Sequence, residues 1–328
     1  MQKKEFNWLF IGAGKIANKV AREINKTHNI YACYSRTEKK TKTFCNKYSS
    51  KLYTNLDLAL NDKNIDCVYI ATPHSSHYNI MKKAIENKIP VLCEKAFTMN
   101  KSQAEEIFKL AKKNNVYVVE AMWTMFNPII KKVFDIIDAG KIGDIEYFKA
   151  SMCYNSKISL ASIRVTDKRF GGGALLDTAV YPISFSTRLF GYPEKIETIS
   201  CFDKKKNTDK ITQGKLIYKN GVYSEFESSI SYFTKCKGLI IGTKGSIYFP
   251  FCFYKPQKAI IKINNEKKIV IKAKRGYIYE FDRVRNDILN HKKESNEVPH
   301  LLTLNVMKIC DNIRKKLNIT YSEDIEKI

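Results

Sequence analysis

Along the first third of the chain, short apolar runs alternate with stretches whose apolar residues recur every three or four positions. Phe6–Ile11, Ile30–Tyr34 and Asp66–Ala71 read as strands, as do the shorter runs Pro90–Cys93 and Val116–Glu120. Ile16–Ile24, His77–Asn87 and Ser102–Lys113 carry the helical period between them. Strand and helix patterns in alternation predict a parallel, doubly wound α/β sheet. After about Met122 the pattern changes. One helix, Pro128–Ala139, stops at Gly140, a residue that ends helices because it tolerates a left-handed backbone. β-type runs follow at Ile145–Cys153, Ile196–Phe202, Lys215–Tyr218, Val222–Phe226, Leu239–Thr243, Ser246–Phe249, Ala259–Ile263 and Lys268–Ile271, with a helical interlude near Leu175–Phe190. Turn residues such as Lys219-Asn220-Gly221 predict mostly antiparallel pairing there. Tyr279–Leu289 and Leu301–Leu317 are helical again. The expected organisation is a parallel-sheet domain over residues 1–121. An α+β domain with a large, open-faced, mostly antiparallel sheet follows over residues 122–328, its C-terminal helix free to pack back on the first domain.

A chain of 328 residues, 44% of them hydrophobic, supports two such cores. No stretch reaches the roughly 18 uninterrupted apolar residues of a membrane-spanning helix. Met1–Glu5 runs directly into a strand without a small-residue cleavage site, so no signal peptide is expected and the reading is cytoplasmic. The nine cysteines are scattered, odd in number and without a C-x-x-C pair. They are expected to be reduced, small apolar residues rather than disulfide or zinc ligands. The net charge of +24 invites a nucleic-acid reading, but the lysines are spread along the chain and the longest basic run is Lys204-Lys205-Lys206. With no recognisable nucleic-acid motif, a compositional bias is the simpler account. The alternative is a positive field that draws in anionic substrates.

Gly12-Ala13-Gly14-Lys15-Ile16-Ala17 follows the first strand and opens the first helix. This G-x-G-x-x-A spacing fits a Rossmann dinucleotide loop. Gly12 makes the tight turn, and Gly14 lets a pyrophosphate approach the backbone at a helix N-terminus. Gly12, Gly14, Lys15, Ile16 and Ala17 are therefore candidate cofactor residues. The second strand ends at Tyr34 and is followed by Ser35-Arg36, where an NAD site usually places Asp or Glu. A hydroxyl and a guanidinium suit a 2′-phosphate, so NADP(H) is expected over NAD(H).

Four segments carry a family resemblance: the Gly12–Ala17 loop, Val68–His77, Cys93-Glu94-Lys95-Ala96 and Gly171–Pro182. Together they resemble the Gfo/Idh/MocA oxidoreductases, which act on sugars, inositols and related polyols. Glu120–Thr124, Gly242–Gly245 and the tail from Val306 to Arg314 are most similar to its dihydrodiol and D-xylose dehydrogenase branch. Two departures stand out. Ala96 replaces the family's usual proline after Glu-Lys, and Met125 stands where that branch often has arginine. The resemblance places Thr72, Pro73 and His77 along the cofactor, with His74 and Glu94 beside them. It also implies a homodimer, or a dimer of dimers, paired through the C-terminal sheet. The aromatic load of Tyr218, Tyr223, Tyr232, Phe233 and Tyr248 fits such an interface.

Lys95 closes an apolar strand and so falls at the carboxyl edge of the parallel sheet, where ligands bind. Asp177 and Tyr181 are four apart and would share a helix face. Tyr181 stands where many relatives have histidine. A phenol near a lysine ammonium can give and take a proton while hydride moves. Lys95, Tyr181 and Asp177 are the catalytic candidates, Asp177 orienting a substrate hydroxyl. Trp123, Phe126 and Arg164 join Asp177 and Tyr181 as substrate-binding candidates, with core packing an equal reading for Phe126. His74 and His77 lack a third ligand at metal-binding spacing, so no metal is expected. The reading is an NADP(H)-dependent oxidoreductase acting on a sugar, inositol or related cyclic polyol. The alternatives are a nucleotide-sugar ketoreductase of surface-glycan biosynthesis and a non-catalytic NADP-binding regulator.

Overall fold

Strand β1 (Asn7–Ile11) has four of its five residues buried, the pattern of a strand covered on both faces. In the computed structural model, which describes residues 5–156, 163–203, 205 and 208–328, β1 lies at the middle of a six-stranded sheet. Met1–Lys4, and Lys204 and Lys206 of the basic run, lie outside the described residues. The other strands are β2 (Asn29–Tyr34), β3 (Lys51–Tyr53), β4 (Cys67–Ile70), β5 (Val91–Glu94) and β6 (Val118–Ala121). Their order is β3-β2-β1-β4-β5-β6, and every pairing is parallel. Helices α1 (Lys15–Ile24), α2 (Glu38–Tyr48), α3 (Leu56–Leu60), α4 (His77–Glu86) and α5 (Lys101–Asn114) connect them. In α1 the buried residues are Ala17, Val20, Ala21 and Ile24, the spacing that lays one helical stripe on a sheet. The hydrophobic pattern had left α2, β3 and α3 unassigned. α2 buries only Thr41, Phe44 and Cys45, too few apolar positions to show a period.

The remaining elements are α6 (Pro128–Asp138), β7 (Ile145–Cys153), α7 (Val180–Phe190), β8 (Lys195–Phe202), β9 (Asp209–Ile217), β10 (Tyr223–Ser229), β11 (Gly238–Gly242), β12 (Gly245–Phe249), β13 (Lys258–Ile263), β14 (Ile269–Lys272), α8 (Ile278–Leu289), α9 (His300–Leu317) and α10 (Glu323–Glu326). The eight strands form one sheet, ordered β14-β13-β12-β11-β7-β10-β9-β8. It is antiparallel except for the β10–β7 pair. Strand alternation sends Phe148, Leu216, Phe226, Ile240, Ile247 and Phe249 to a buried face. There Phe185 of α7 stacks 4.9 Å from Phe148, and Phe134 of α6 lies 5.3 Å from Phe185. The opposite face mixes rings and charges. Tyr147 donates to Glu225 at 2.8 Å, and Lys215 lies over the Tyr223 ring at 3.8 Å. Phe233 is 62% exposed, whereas Tyr218, counted on the open face from sequence, turns inward with its hydroxyl 2.6 Å from Ser186. Eight of the nine free cysteines are buried and Cys201 is exposed. Among the described residues no helix is long and apolar enough to cross a membrane.

Backbone contacts divide the chain into two compact units. The first holds Met1–Ala121, Tyr277–His300 and Ile328; the second holds Met122–Gly276 and Leu301–Lys327. Residues 277–300 thus belong to the parallel-sheet unit, where the sequence reading had placed only 1–121. The helix that returns is α8, while residues 301–317 of the C-terminal helix stay with the second unit. The reason lies in α8's aromatic anchor. Phe281 packs 4.6 Å from Trp8, 5.1 Å from Tyr69 and 6.2 Å from Phe10. Such aromatic pairs add about 0.5–1.5 kcal/mol each beyond the area they bury.

Beside Phe281, Glu280 is 1% exposed and neither carboxyl oxygen has a hydrogen-bond partner. Burial, then the charges of Glu94 and Glu23, hold its pKa well above the usual 4.5. The folded chain therefore keeps a proton that the unfolded chain releases, and stability falls as pH rises from about 4.5 toward the folded pKa. Glu280→Gln is expected to remove that slope. Denaturant titration of both proteins at about pH 5 and about pH 8 reads it. An identical loss between the two pH values in both proteins would contradict the assignment.

Candidate active site

In the first unit the candidate cofactor loop is shaped by close backbone approach. Gly12 has φ +110°, its N–H donates to Tyr34 O at 2.7 Å, and a Cβ there would meet Ala71 O at 2.7 Å. No other residue fits between β1 and β4 at that point. Gly14 caps α1 in an extended conformation with no side-chain hydrogen bond to the helix start, and a Cβ built on it would meet nothing within 4 Å. Open space in front of a helix N-terminus with no side-chain cap is what a pyrophosphate requires. Gly14 and Lys15 are exposed, Ile16 is half-buried, and Ala17 packs into the core. Ser35 points back, its Oγ 2.6 Å from Thr41 Oγ1 at α2. Arg36 is exposed and has no acid partner among the described residues. A dinucleotide with a 2′-phosphate therefore fits this edge.

Lys95 follows β5 directly and is half-buried; the Lys95–Ala96 peptide is cis. Three contacts build the turn around it. Tyr69 donates to Glu94 Oε1 at 2.6 Å, and Phe97 N donates to Glu120 Oε1 at 3.2 Å. Burial, then Glu94, holds the Tyr69 phenol well above its ordinary pKa, so it keeps its proton for that bond. The third contact is His77, which is 0% exposed, with Nδ1 3.0 Å from Ala96 O and Nε2 3.0 Å from Thr72 O. His77 ties the Thr72-Pro73 segment after β4 to the Lys95-Ala96 segment after β5. His74, 2% exposed, has its ring 5.8 Å from that of His77. Thr72 and Pro73 themselves are half-buried. Among the described residues no group of three or more His, Cys, Asp or Glu is placed to share a metal.

In the second unit, Asp177 and Tyr181 stand at the start of one helical segment, a π turn over Leu175–Ala179 running into α7. Asp209, at the head of β9, holds the start of that segment in place. Its Oδ2 accepts from Leu175 N at 2.6 Å and from Thr212 Oγ1 at 2.8 Å. It is 0% exposed, and burial pushes its carboxyl up to about 6 against the pull of those hydrogen bonds. Gly173, just before the turn, has φ +129°, and a Cβ there would lie 2.0 Å from Asp209 Oδ1.

The placed side chains form two linked groups. Asp177, 4% exposed, accepts from Tyr154 OH at 2.5 Å and from Arg164 Nη2 at 3.1 Å. Burial, then Asp177, raises the Tyr154 phenol far above its usual pKa, so it acts as a fixed donor. Both Asp177 oxygens are thereby oriented within this unit. Trp123 Nε1 donates to Tyr181 OH at 3.2 Å, and the Tyr254 ring lies 5.5 Å from that of Tyr181. Phe126 is buried, 7% exposed. The sequence reading found Trp123, Arg164, Asp177 and Tyr181 but missed Tyr69, Tyr154, Asp209 and Tyr254. Of these only Tyr69 carried a local signal, a phenol inside an otherwise apolar buried strand.

A glycine-cradled helix N-terminus on a parallel sheet and an aspartate–tyrosine pair on an antiparallel one describe a dinucleotide-dependent oxidoreductase. The family model of oxidoreductases with an NAD-binding Rossmann fold matches residues 6–122, and that of the GFO/IDH/MocA C-terminal domain matches residues 130–248. The chain belongs to the Gfo/Idh/MocA family. It is 27% identical to trans-1,2-dihydrobenzene-1,2-diol dehydrogenase of Xenopus tropicalis over 96% of this chain and 98% of that one. It is also 27% identical to D-xylose 1-dehydrogenase (NADP(+)) of Hypocrea jecorina, covering 84% of this chain and 79% of the relative. Among solved structures, a 3-ketoreductase from Actinomadura kijaniata in complex with NADP and TDP-benzene superposes with a TM-score of 0.83 at 22% identity, over 95% of this chain and 97% of that one.

Gly173→Ala is expected to displace the start of the Asp177–Tyr181 segment. The backbone conformation alone costs about 1–3 kcal/mol in a residue with a side chain, and the contact with Asp209 adds to it. Thermal unfolding and turnover should fall together. A variant as stable and as active as the parent would contradict this placement.

Proposed function

We propose that the chain moves hydride between C4 of NADP(H) and a carbinol carbon of a sugar, inositol or related cyclic polyol. The observation that carries this reading is the second unit's polar geometry. A fixed carboxylate, Asp177, lies in the same helical segment as a phenol, Tyr181, that receives an indole N–H. Hydrogen-bonding groups of this density suit a hydroxylated ring better than an apolar alcohol. Relatives named for a dihydrodiol and for D-xylose support an oxidoreductase of CH–OH groups.

A bound nicotinamide supplies the hydride acceptor or donor. The chain's own residues handle the proton and the positions. In oxidation the substrate hydroxyl gives its proton to the Tyr181 oxygen; in reduction Tyr181 returns it to the new alkoxide. The Trp123 N–H stabilises negative charge on the Tyr181 oxygen, since a donor aimed at the charged form favours it. Lys95 stabilises the reacting oxygen. Asp177, held by Tyr154 and Arg164, accepts a neighbouring substrate hydroxyl. Gly14 and the first amides of α1 receive the pyrophosphate, and Arg36 receives the 2′-phosphate. A nucleotide-sugar ketoreductase would run the same residues in the reducing direction. A non-catalytic binder would have no chemical use for Lys95, Asp177 and Tyr181 together.

Sugars, inositols and simple aliphatic alcohols with NADP or NAD, followed by absorbance of the reduced nicotinamide, test the reading. Polyols should react far better, and with NADP. If aliphatic alcohols or their ketones react as well as every sugar and inositol, the polyol assignment is wrong. Arg36→Ala should weaken NADP binding about ten- to a hundredfold, the worth of a lost charge-assisted hydrogen bond, and leave NAD binding nearly unchanged. Equal losses for both cofactors would contradict the 2′-phosphate contact.

A further inference from the structure

After α9 the chain folds back on that helix, and one side chain there reaches the loop of the candidate site. Ile319 N donates to Arg314 O at 2.9 Å, and Arg314 Nε donates to Ile319 O at 3.4 Å. The Arg314 guanidinium lies 4.6 Å from the centroid of the Tyr321 ring, and its Nη2 donates to Glu326 Oε1 at 2.5 Å. Tyr321 is thus held against α9 by a cation over its ring, and that cation is held in turn by a carboxylate of α10. Tyr321 is 8% exposed, and its hydroxyl donates to Gly172 O at 3.1 Å, across 149 residues of chain. Burial, then the charge of Asp209, keeps this phenol protonated far above its ordinary pKa, so it stays a donor.

Gly172 is buried where the loop and the helical segment of the site meet. Its N–H donates to Asp167 O at 3.1 Å, and Gly173 N donates to Val165 O at 3.0 Å. A Cβ on Gly172 would lie 2.6 Å from Arg164 O and 2.7 Å from Asp167 N. Gly172 therefore packs directly on the turn that carries Arg164. Beyond it, Gly173 O accepts from Asp177 N at 3.1 Å, and Arg164 Nη2 closes the circle on Asp177 Oδ1 at 3.1 Å. Asp209 pins this circle on the helix side, at Leu175 N. Tyr321 pins it on the loop side, at Gly172 O.

We propose that Tyr321 is a positioning residue for the substrate: through the Gly172 carbonyl it keeps the Arg164 turn and Asp177 in register, so that the segment after α9 sets how tightly the site holds a substrate hydroxyl. The inference rests on the hydride-transfer reading above, in which Asp177 accepts such a hydroxyl. Its effect falls on binding and not on the proton step, because Tyr181 takes its donor from Trp123.

Tyr321→Phe removes the donor, keeps a ring against Arg314 and takes a hydrogen bond from a buried carbonyl. Hydrogen–deuterium exchange reads the loop without any substrate. Amides of residues 164–177 should exchange about five- to a hundredfold faster in the variant, the worth of a buried acceptor that loses its donor. Those of β9, the rest of α7 and the first unit should keep the parent's rates. With D-xylose, D-glucose and myo-inositol at saturating NADP, KM should rise by a similar factor while kcat and NADP affinity hold. Glu326→Gln, which loosens Arg314 and leaves the Tyr321 hydroxyl in place, should move both readouts the same way and less. It carries the same test should Tyr321→Phe not fold. Exchange that is unchanged at 164–177, or that rises equally throughout the second unit, overturns the positioning role. So does a loosened loop with a KM equal to the parent's. If the loop loosens but the parent turns over no sugar or inositol, the link from Tyr321 to Asp177 stands and the hydride-transfer reading falls.

Discussion

The contact on which the candidate site most depends is the buried carboxylate of Asp209 on the amide of Leu175. A helix start leaves its first N–H groups without partners, and this one is inside the protein, where water cannot serve them. Asp209 fills that need from the head of β9, a strand distant in sequence. The cost is a carboxylate withdrawn from solvent, visible in the rise of its pKa to about 6. The benefit is that the segment bearing Asp177 and Tyr181 has one position along the sheet. Gly173 follows from the same constraint, because a side chain there would occupy the Asp209 oxygen.

The first unit solves a related problem with backbone rather than a carboxylate. β1 and β4 approach so closely that only glycine fits at position 12. His77 then lies between the segments after β4 and β5, each ring nitrogen 3.0 Å from a carbonyl oxygen of one of them. Lys95 sits on that braced edge with Glu94 fixed by Tyr69. In both units the candidate side chains are therefore placed by buried groups behind them, Asp209 in one and His77 and Tyr69 in the other, the support that accurate chemistry requires.

Much of this was legible in the chain. The Gly12–Ala17 loop announced itself because strand, glycines and helix are contiguous, and the β-runs after Met122 showed their alternation. Asp177 and Tyr181 were visible because helical spacing is local. Asp209, Tyr154 and Tyr254 were not, because each meets its partner across strands and loops, and no local period links residue 209 to residue 175. Asp209 was further hidden in a strand whose first half mixes polar residues with Gly214, so the β pattern emerged only at Lys215. The return of residues 277–300 to the first unit was equally silent. It is decided by Phe281 meeting Trp8, Phe10 and Tyr69, rings contributed by strands more than half the chain away.

The central claim is that Tyr181, positioned by this helix start and by Trp123, carries the proton of a hydride transfer. Tyr181→Phe removes one hydroxyl and leaves the ring packing intact. Single-turnover rates with a substrate deuterated at the reacting carbon show whether hydride transfer limits. Under that condition the account predicts a fall in turnover of about 10²–10⁴-fold with NADP affinity and unfolding unchanged. A fall of less than about tenfold, with the isotope effect showing that chemistry limits, would contradict it.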